Sequence, residues 1–310
     1  MKVALIIPTY NGGKLFEQVL QSIKKQSLTP DELLIIDSSS SDETVSIATS
    51  YGFKVHSISQ SEFDHGGTRN LALTLVESDV VIYMTQDAIL ADEKSFKKLV
   101  SIFSNNDVSA AYGRQLPHDN ANTLARHTRF SNYGEISYIA NLDSESPVGF
   151  KKAFMSNSFA AYRNSALGNI GGFPKQLILG EDSYVAAKFL LGGSSVAYVA
   201  DALAYHSHNY SVSEEFKRYF DIGVFHSTQS WMLDSLGKVE GEGIKFAVGQ
   251  VKYALTERNI YQVIRSLFTS LAKFTGYKMG LFHKSLPLTF NIKLSMYKGY
   301  FIRLKERDVR

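Results

Sequence analysis

The first 115 residues alternate between short, continuous apolar runs and stretches whose apolar residues have helical spacing. The continuous runs predict parallel strands buried on both faces, and they are Val3 to Ile7, Leu33 to Ile36 and Val80 to Met84. The helical spacing (i, i+3, i+4, i+7) is clearest after the first run, at Phe16, Val19, Leu20 and Ile23. Repeated alternation of strand and helix predicts an α/β fold with a mostly parallel, Rossmann-like sheet and flanking helices.

This alternation is lost further along the chain. Few periodic apolar residues occur between 113 and 154, so this stretch is predicted to be irregular. Strands are predicted at Phe159 to Arg163 and at Val196 to Val199, with a helix from Glu181 to about Leu190 between them. Beyond Ser211 the spacing predicts helices, with an end that is interrupted by Gly and Pro and rich in Lys, Phe and Tyr.

Polar residues follow the predicted strands at the edge where the carboxyl ends of parallel strands meet. They are Pro8, Thr9, Tyr10 and Asn11 after the first run, and Asp37 and Ser39 after the second. Open α/β sheets bind ligands in the crevice at this edge, so we predict that these residues contact a ligand there. The carboxylate of Asp37 suits the N–H donor of a pyrimidine ring, and a turn or helix-capping role is the alternative.

The run Asp64 to Asn70 has the residue types expected around a diphosphate. Gly66 and Gly67 allow a close backbone approach, His65 precedes them, and Arg69 falls in the first turn of a helix predicted from Thr68. Helix-terminal N–H groups and a guanidinium both favour anionic oxygens. The alternative is a structural loop in which Arg69 pairs with a neighbouring acid.

A divalent cation is the second expectation at this crevice. Gln86 and Asp87 follow the strand that ends at Met84, and a single carboxylate suffices for Mg²⁺ or Mn²⁺ because water and phosphate supply the remaining ligands. His206 and His208 could complete the metal site with Asp87, although histidines are more often structural. Asp87 could instead cap the helix that follows.

Glu181 and Asp182 begin a predicted helix and are the candidates for acid–base catalysis. A carboxylate can take the proton of an attacking hydroxyl. The alternative is structural, because acids at a helix N-terminus also stabilise the helix dipole. Together with Asp37 and Asp87, Asp182 supplies the third of three carboxylates expected around one cavity.

Composition limits the class of protein and points to a charged surface. The chain has 310 residues, 44% of them hydrophobic, and no cysteine, which excludes disulfides and thiolate metal sites. We find neither a signal peptide nor a membrane-spanning run and expect a cytoplasmic protein. From 244 to 310, thirteen basic residues stand against three acidic ones, which leaves the first 243 residues at −7 within a total of +3.

The basic tail is predicted to meet an anionic surface, either lipid or nucleic acid, or simply to be solvated. Its lysines alternate with aromatic residues, which suits interfacial attachment to a membrane. The residues are Lys273, Lys278, Lys284, Lys293 and Lys298, with Phe274, Phe282, Phe290 and Tyr297. The same aromatic residues could serve a homo-oligomer.

Two segments carry a resemblance to a known family. Ile7-Pro8-Thr9-Tyr10-Asn11-Gly12, followed by Ile36-Asp37-Ser38-Ser39-Ser40-Ser41-Asp42, resembles the opening of family 2 glycosyltransferases with the GT-A fold. That family usually carries a pair of acids after the fourth strand, where this chain has Gln86-Asp87. The segments Phe63 to Asn70 and Thr85 to Ala88 look like the bacterial rhamnosyltransferase branch, which builds O-antigen and related surface polysaccharides.

The resemblance covers roughly residues 1 to 226 and implies an inverting rhamnosyltransferase. The implied donor is dTDP-L-rhamnose, and the implied acceptor is a polyprenyl-diphosphate-linked oligosaccharide. Thr9, Asp37 and Arg69 would contact the nucleotide, Asp87 the cation, and Asp182 would be the base. A lipid-linked acceptor favours lipid over nucleic acid as the partner of the tail, on the inner face of the cell membrane.

The expected organisation follows from this interpretation. Residues 1–115 would bind the nucleotide sugar, 116–226 would form the acceptor and catalytic half of the same GT-A domain, and 227–310 would be a helical, basic, membrane-proximal appendage. Three alternatives stay open: transfer of another sugar (glucosyl, galactosyl or N-acetylhexosaminyl), a sugar nucleotidyltransferase, and a non-catalytic membrane-associated scaffold.

Overall fold

The computed structural model describes residues 1–238 and 241–308. Contacts within the chain divide it into two compact units. The first comprises Met1–His118, Asn132–Lys175 and Glu181–His206, and the second comprises Asp119–Ser131, Gln176–Gly180 and Ser207–Arg310. The predicted division at 115 and 226 is one of function and stays a prediction.

The first unit is built on one mixed β-sheet with helices around it. Its strands are β1 (Val3–Thr9), β2 (Glu32–Asp37), β3 (Lys54–Ser57), β4 (Val80–Met84), β5 (Ile89–Leu90), β6 (Val108–Leu116), β7 (Tyr138–Ala140), β8 (Phe159–Arg163) and β9 (Ser195–Tyr205). The strand order is β3-β2-β1-β4-β8-β6-β9-β5, and β7 pairs with β9. The predicted α/β class with a central sheet is therefore confirmed.

The sheet contains more antiparallel strand pairs than the mostly parallel sheet that the sequence predicted. β3, β2, β1 and β4 are parallel, but β8 runs antiparallel to both of its neighbours, β4 and β6. A short apolar run carries no signal of direction, and the connections before and after it decide how it enters the sheet. The strands predicted at Val3, Leu33 and Val80 are confirmed, and the apolar residues of β1 and β4 are buried on both faces.

The helices of the first unit are α1 (Gly13–Lys24), α2 (Thr44–Ser50), α3 (His65–Leu73), α4 (Ser95–Ser101), α6 (Asn164–Asn169) and α7 (Glu181–Leu191). α1 buries Phe16, Val19, Leu20 and Ile23, as their spacing predicted. α3 begins at His65 rather than at Thr68, because the side chain of Asp64 accepts a hydrogen bond from the backbone N–H of Gly67 and caps the helix there. Both glycines of this run therefore lie inside the first helical turn.

The second unit is helical. Its elements are α5 (Thr123–Asn132, shared with the first unit at its last residue), α8 (Val212–Thr228), α9 (Ser230–Leu236), α10 (Glu242–Thr256), α11 (Ile260–Leu281), α12 (Leu288–Leu294) and α13 (Lys298–Asp308). The prediction of an irregular stretch from 113 to 154 is wrong in part, because α5 and β7 lie within it. α5 was missed because its buried face carries only a few apolar residues, such as Leu124 and Ala125. Among the described residues, no helix combines the length and the apolar character needed to cross a bilayer.

One residue of the predicted basic surface is internal to the second unit. The ammonium of Lys273 lies 3.3 Å from Glu215 Oε1, and it also lies over the rings of Tyr219 and Phe246. The side chain is buried, so Lys273 is part of the helical packing. It is not available to an anionic surface, and the prediction is wrong for this lysine.

Candidate active site

The ends of β1 and β2 meet because the two strands are paired in parallel register. Thr9 is the direct partner of Asp37, and its hydroxyl donates a hydrogen bond of 2.9 Å to Asp37 Oδ1. The backbone N–H and the hydroxyl of Ser40 also donate to the Asp37 carboxylate, at 2.8 and 2.6 Å. Three donors therefore fix the orientation of this carboxylate, which is almost completely buried.

The loop after β1 is held by side chains that the sequence assigned to the ligand. Gln86 Oε1 accepts from the backbone N–H of Tyr10, and Gln86 Nε2 donates to the carbonyl oxygen of Tyr10, at 2.7 and 3.0 Å. Asn11 accepts from the backbone N–H of Ser41, whereas Ser39 holds the loop after β2, because its hydroxyl donates to the carbonyl oxygen of Ile58. An acid at position 86 could accept from Tyr10 but could not donate back, so the amide closes this loop in a way that a carboxylate cannot.

A cavity of about 370 Å³ lies beside these strand ends in the first unit. Six of the residues predicted to bind a ligand line it, namely Pro8, Thr9, Tyr10, His65, Arg69 and Gln86. Four further lining residues, Ser38, Gln60, Phe63 and Thr85, were not assigned to the site from the sequence. Phe63 and Thr85 lie directly beside predicted motifs, so the sequence could have identified them as lining residues. Gln60 lies in a loop that has no predicted motif beside it.

The glycine at position 66 is required by packing within the first unit. A Cβ atom built on Gly66 would lie 1.9 Å from the carbonyl oxygen of Pro174, which no side chain could tolerate. The close backbone approach predicted at this glycine is thus made to the chain itself. Gly67 instead supplies the N–H that Asp64 caps.

Arg69 connects the cavity to the two acids of α7. Its side chain is only 5% exposed, its Nη1 lies 3.0 Å from Glu181 Oε1, and the same nitrogen donates to the carbonyl oxygen of His65 at 2.7 Å. The structural alternative, in which Arg69 pairs with a neighbouring acid, is therefore realised. Because Arg69 also lines the cavity, the ion pair lies next to the space where a ligand would bind.

Asn157 joins Glu181 to Asp182. Its side-chain N–H donates to Glu181 Oε1 at 2.9 Å, and its backbone N–H donates to Asp182 Oδ2 at 3.0 Å. The backbone N–H of Ser183 donates to the other oxygen of Asp182, and the hydroxyl of Tyr162 donates to Asn157 Oδ1. Glu181 is buried, and Asp182 is half-buried.

The two adjacent acids have opposite pKa shifts. Burial opposes ionisation of Glu181, but the positive charge of Arg69, helped by His65 and Asn157, lowers its pKa below the ordinary value. Burial raises the pKa of Asp182 to about 7, and the negative charge of Glu181 adds to this effect. Carboxyl groups whose pKa values are pushed apart in this way are typical of acid–base sites, and Asp182 is poised to exchange a proton near neutral pH.

Asp87 and His206 form a separate polar group at the ends of β4 and β9. Asp87 Oδ1 lies 3.4 Å from His206 Nε2, and His206 Nδ1 lies 2.8 Å from Gln115 Oε1. Gln115 donates its own N–H to Ser156, so its oxygen faces the imidazole and favours the proton on Nδ1. The lone pair of Nε2 then faces the carboxylate, which is the arrangement that a divalent cation would stabilise. Asp87 and His206 therefore fit Mg²⁺ or Mn²⁺. His208, the third predicted ligand, belongs to the second unit.

Comparison with known proteins identifies the family. The sequence model described as "Glycosyl transferase family 2" matches residues 4–171, a range that includes β2, β4, all of β1 except Val3, and the residues that line the cavity. The chain belongs to glycosyltransferase family 2. The prediction of a glycosyltransferase is therefore confirmed.

Two relatives of this glycosyltransferase match almost end to end. It is 46% identical over 303 residues to the O-antigen chain rhamnosyltransferase RfbN of Salmonella typhimurium, covering 97% of this chain and 96% of the relative. It is 44% identical over 299 residues to the O-antigen chain rhamnosyltransferase WbaN of Salmonella anatum, covering 96% and 95%.

Solved structures with the same fold include two glycosyltransferases at low identity. The mannosyltransferase PcManGT of Pyrobaculum calidifontis, in complex with GDP-Man and Mn²⁺, superposes with a TM-score of 0.56 at 18% identity, covering 99% of this chain and 87% of that one. Staphylococcus aureus TarS 1-349, in complex with UDP-GlcNAc, superposes with a TM-score of 0.55 at 17% identity, covering 90% of each chain. At this identity the likeness establishes the shared fold.

Proposed function

We propose that this family 2 glycosyltransferase transfers L-rhamnose from dTDP-L-rhamnose to a lipid-linked oligosaccharide during O-antigen synthesis. The observation that carries the proposal is the near-complete alignment, at 44–46% identity, with two O-antigen chain rhamnosyltransferases. The arrangement of the cavity, the Arg69–Glu181 pair and Asp182 supports a group transfer that needs one general base. A lipid-linked acceptor is consistent with action at the inner, cytoplasmic face of a membrane.

The nucleotide part of the donor would occupy the cavity at the ends of β1 and β2. Asp37 is held by Thr9 and Ser40, and a carboxylate suits the N–H of thymine. Arg69 lines the cavity and would attract the diphosphate, in competition with Glu181. Phe63 and Tyr10 offer aromatic surface for the base or the sugar.

Asp182 would take the proton of the acceptor hydroxyl. The hydroxyl oxygen then bonds to the anomeric carbon as the bond from that carbon to the diphosphate oxygen breaks, which inverts the configuration and releases dTDP. Both oxygens of Asp182 are oriented by backbone N–H groups, and each oxygen keeps a lone pair that can take the proton. Because its pKa is about 7, Asp182 is largely ionised above neutral pH. Glu181, held by Arg69, would position the base and tune its pKa.

Asp87, His206 and His208 would hold a Mg²⁺ or Mn²⁺ ion. Such an ion supplies positive charge to the departing diphosphate oxygens. The carboxylate and the imidazole of Asp87 and His206 are adjacent, and Gln115 orients the imidazole. His208, two residues further along the chain, is the third residue that the sequence assigned to the ion.

A donor panel tests this assignment. Purified protein, a polyprenyl-diphosphate-linked glycan and a set of nucleotide sugars would be assayed for nucleoside diphosphate release, with and without a chelator. We expect dTDP release from dTDP-L-rhamnose, and we expect the chelator to abolish it. Preference for a UDP- or GDP-sugar would overturn the donor assignment, and release of free diphosphate would indicate nucleotidyl transfer instead.

A further inference from the structure

α11 has its apolar side facing outward. The residues that it buries are small or polar, namely Ser266, Thr269, Lys273, Gly276 and Gly280. Six of its exposed residues have large side chains without polar atoms, namely Ile260, Ile264, Leu267, Phe268, Leu271 and Phe274, and Tyr261 and Lys278 are exposed as well. A helix on the surface of a water-soluble unit normally has the opposite arrangement. The large side chains are well exposed, with Ile260 at 77% and Phe268 at 61%.

The inward side of α11 requires its glycines. A Cβ atom at Gly276 would lie 2.3 Å from the carbonyl oxygen of Phe216, and one at Gly280 would lie 2.1 Å from that of Phe220. Gly223 of α8 meets the backbone of α11 in the same way. The two helices therefore approach backbone to backbone through small residues, a packing mode that is typical of helices whose outer surface faces lipid.

α10 extends the same surface. This helix buries Gln250 and Ala254, and its large exposed apolar residues are Ile244, Val248 and Leu255. Only residues 257–259 separate α10 from α11, so the two helices form a hairpin. We call the nine exposed apolar residues of the two helices the α10–α11 apolar surface. Nine large exposed apolar residues on one helical hairpin differ from the single, scattered ones of ordinary protein surfaces.

The charges around the α10–α11 apolar surface have one predominant sign. The exposed cations between 241 and 285 are Lys245, Lys252, Arg258, Lys278 and Lys284. The exposed acid in the same range is Glu257, whose carboxylate accepts a hydrogen bond from Thr123. A second copy of this chain would place the same cations opposite each other, whereas anionic headgroups would neutralise them.

We propose that the α10–α11 apolar surface docks on an anionic lipid bilayer, with its large side chains below the headgroups and the flanking lysines among them. An apolar stripe bordered by cations binds at the interface through buried area and electrostatic attraction together. This proposal rests on the proposed function, because it names the surface through which the transferase would meet the membrane. Vesicle binding needs neither donor nor acceptor, so the membrane surface and the transferase activity can be refuted independently.

Flotation with vesicles tests the proposal on the full-length protein. The vesicles would be pure phosphatidylcholine or the same lipid with about 30% phosphatidylglycerol, a composition that supplies the anionic surface potential. We expect the protein to float with the anionic vesicles and less so at high salt. The double variant Leu267→Glu/Leu271→Glu should lower the partition coefficient by at least about tenfold. Each change removes an apolar side chain that the bilayer would bury and adds a negative charge that the anionic headgroups repel.

Matched controls distinguish binding through the α10–α11 apolar surface from nonspecific adsorption of the protein to vesicles. Ile136 is 83% exposed in the first unit, so Ile136→Glu makes the same kind of change elsewhere and should leave flotation unchanged. Lys245→Glu/Lys252→Glu should weaken binding to anionic vesicles alone. Thermal unfolding followed by circular dichroism confirms that each variant is folded, and titration with dTDP confirms that its nucleotide site is intact.

Two outcomes would overturn the proposal. One is failure of the parent protein to float with anionic vesicles, whether or not it is an active transferase. The other is a dimer in analytical ultracentrifugation that Leu267→Glu/Leu271→Glu converts to a monomer while flotation stays the same. In that case a second copy covers the surface.

Discussion

The ion pair between Arg69 and Glu181 should set the pH dependence of catalysis through Asp182. The substitution Glu181→Gln keeps the size of the side chain and an oxygen that can accept from Asn157, but it removes the negative charge. That charge is one of the two causes that raise the pKa of Asp182, and the other is burial. The variant also leaves the positive charge of Arg69 unopposed, which lowers the pKa of Asp182 further. Both effects therefore lower the pKa of Asp182.

The size of the effect follows from Coulomb's law and from the ionised fraction. Two unit charges about 6 Å apart at an effective dielectric constant of about 20 interact by about 3 kcal/mol, which is more than a tenfold change in an ionisation constant. With a pKa of about 7, roughly a tenth of Asp182 is ionised at pH 6 and nearly all of it at pH 8. About 3 kcal/mol corresponds to about two pKa units, and a pKa lowered to about 5 would leave about nine-tenths of Asp182 ionised at pH 6. The ratio of the rate at pH 6 to the rate at pH 8 should therefore rise about ninefold.

The measurement is the pH profile of kcat/KM from about pH 5.5 to 9, read from nucleoside diphosphate release. We expect the acidic limb of Glu181→Gln to move to lower pH, with a lower plateau because Asp182 becomes a weaker base. Glu77→Gln is the matched control, since the side chain of Glu77 is highly exposed and faces Lys2. An acidic limb that is the same in Glu181→Gln as in the parent protein would refute the reasoning.

Three further predictions concern other carboxylates. Asp182→Asn should lower kcat by at least about 10²-fold while leaving the Kd for dTDP within about twofold, and near-normal turnover would exclude Asp182 as the base. Asp87→Ala should remove the metal dependence of dTDP binding in calorimetry; a titration that still responds to Mn²⁺ as the parent does would place the cation elsewhere. Burial raises the pKa of Asp221 to about 6 even though the backbone N–H groups of Met296 and Tyr297 donate to its carboxylate. Its raised pKa contributes stability that is complete below about pH 4 and is lost as the pH rises through about 6, so the fall in Tm between about pH 5 and 7.5 should be smaller in Asp221→Asn.

The sequence predicted the first half of the sheet and the side chains at its edge. Continuous apolar runs read reliably as buried strands, and parallel strands necessarily bring their carboxyl ends to one edge. Thr9 and Asp37 are direct partners in the register of β1 and β2 for that reason. The sequence did not predict the orientation of β8 or the helix α5, since the first depends on the path of the connections and the second has a weak apolar pattern.

Partners that are distant in sequence could not be assigned from the chain alone. Gln86 was expected at the ligand, and it holds both backbone groups of Tyr10 while its side chain lines the cavity. Glu181 was grouped with Asp182 as catalytic, whereas its contacts are with Arg69 and Asn157. The sequence shows the same residue type for a carboxylate in a buried ion pair and for one that contacts a ligand. Only the neighbouring groups in the folded structure distinguish the structural role from the catalytic one.

The amino-acid sequence by itself determined the α/β class, the order of the polar motifs and the basic charge of the tail, because these depend on local patterning and composition. Tertiary structure decided the rest. It placed Arg69 against Glu181, gave two adjacent acids different pKa values and turned the apolar side of α11 outward. These properties depend on distances and burial between residues far apart in the chain, and periodicity along a single segment carries no information about them.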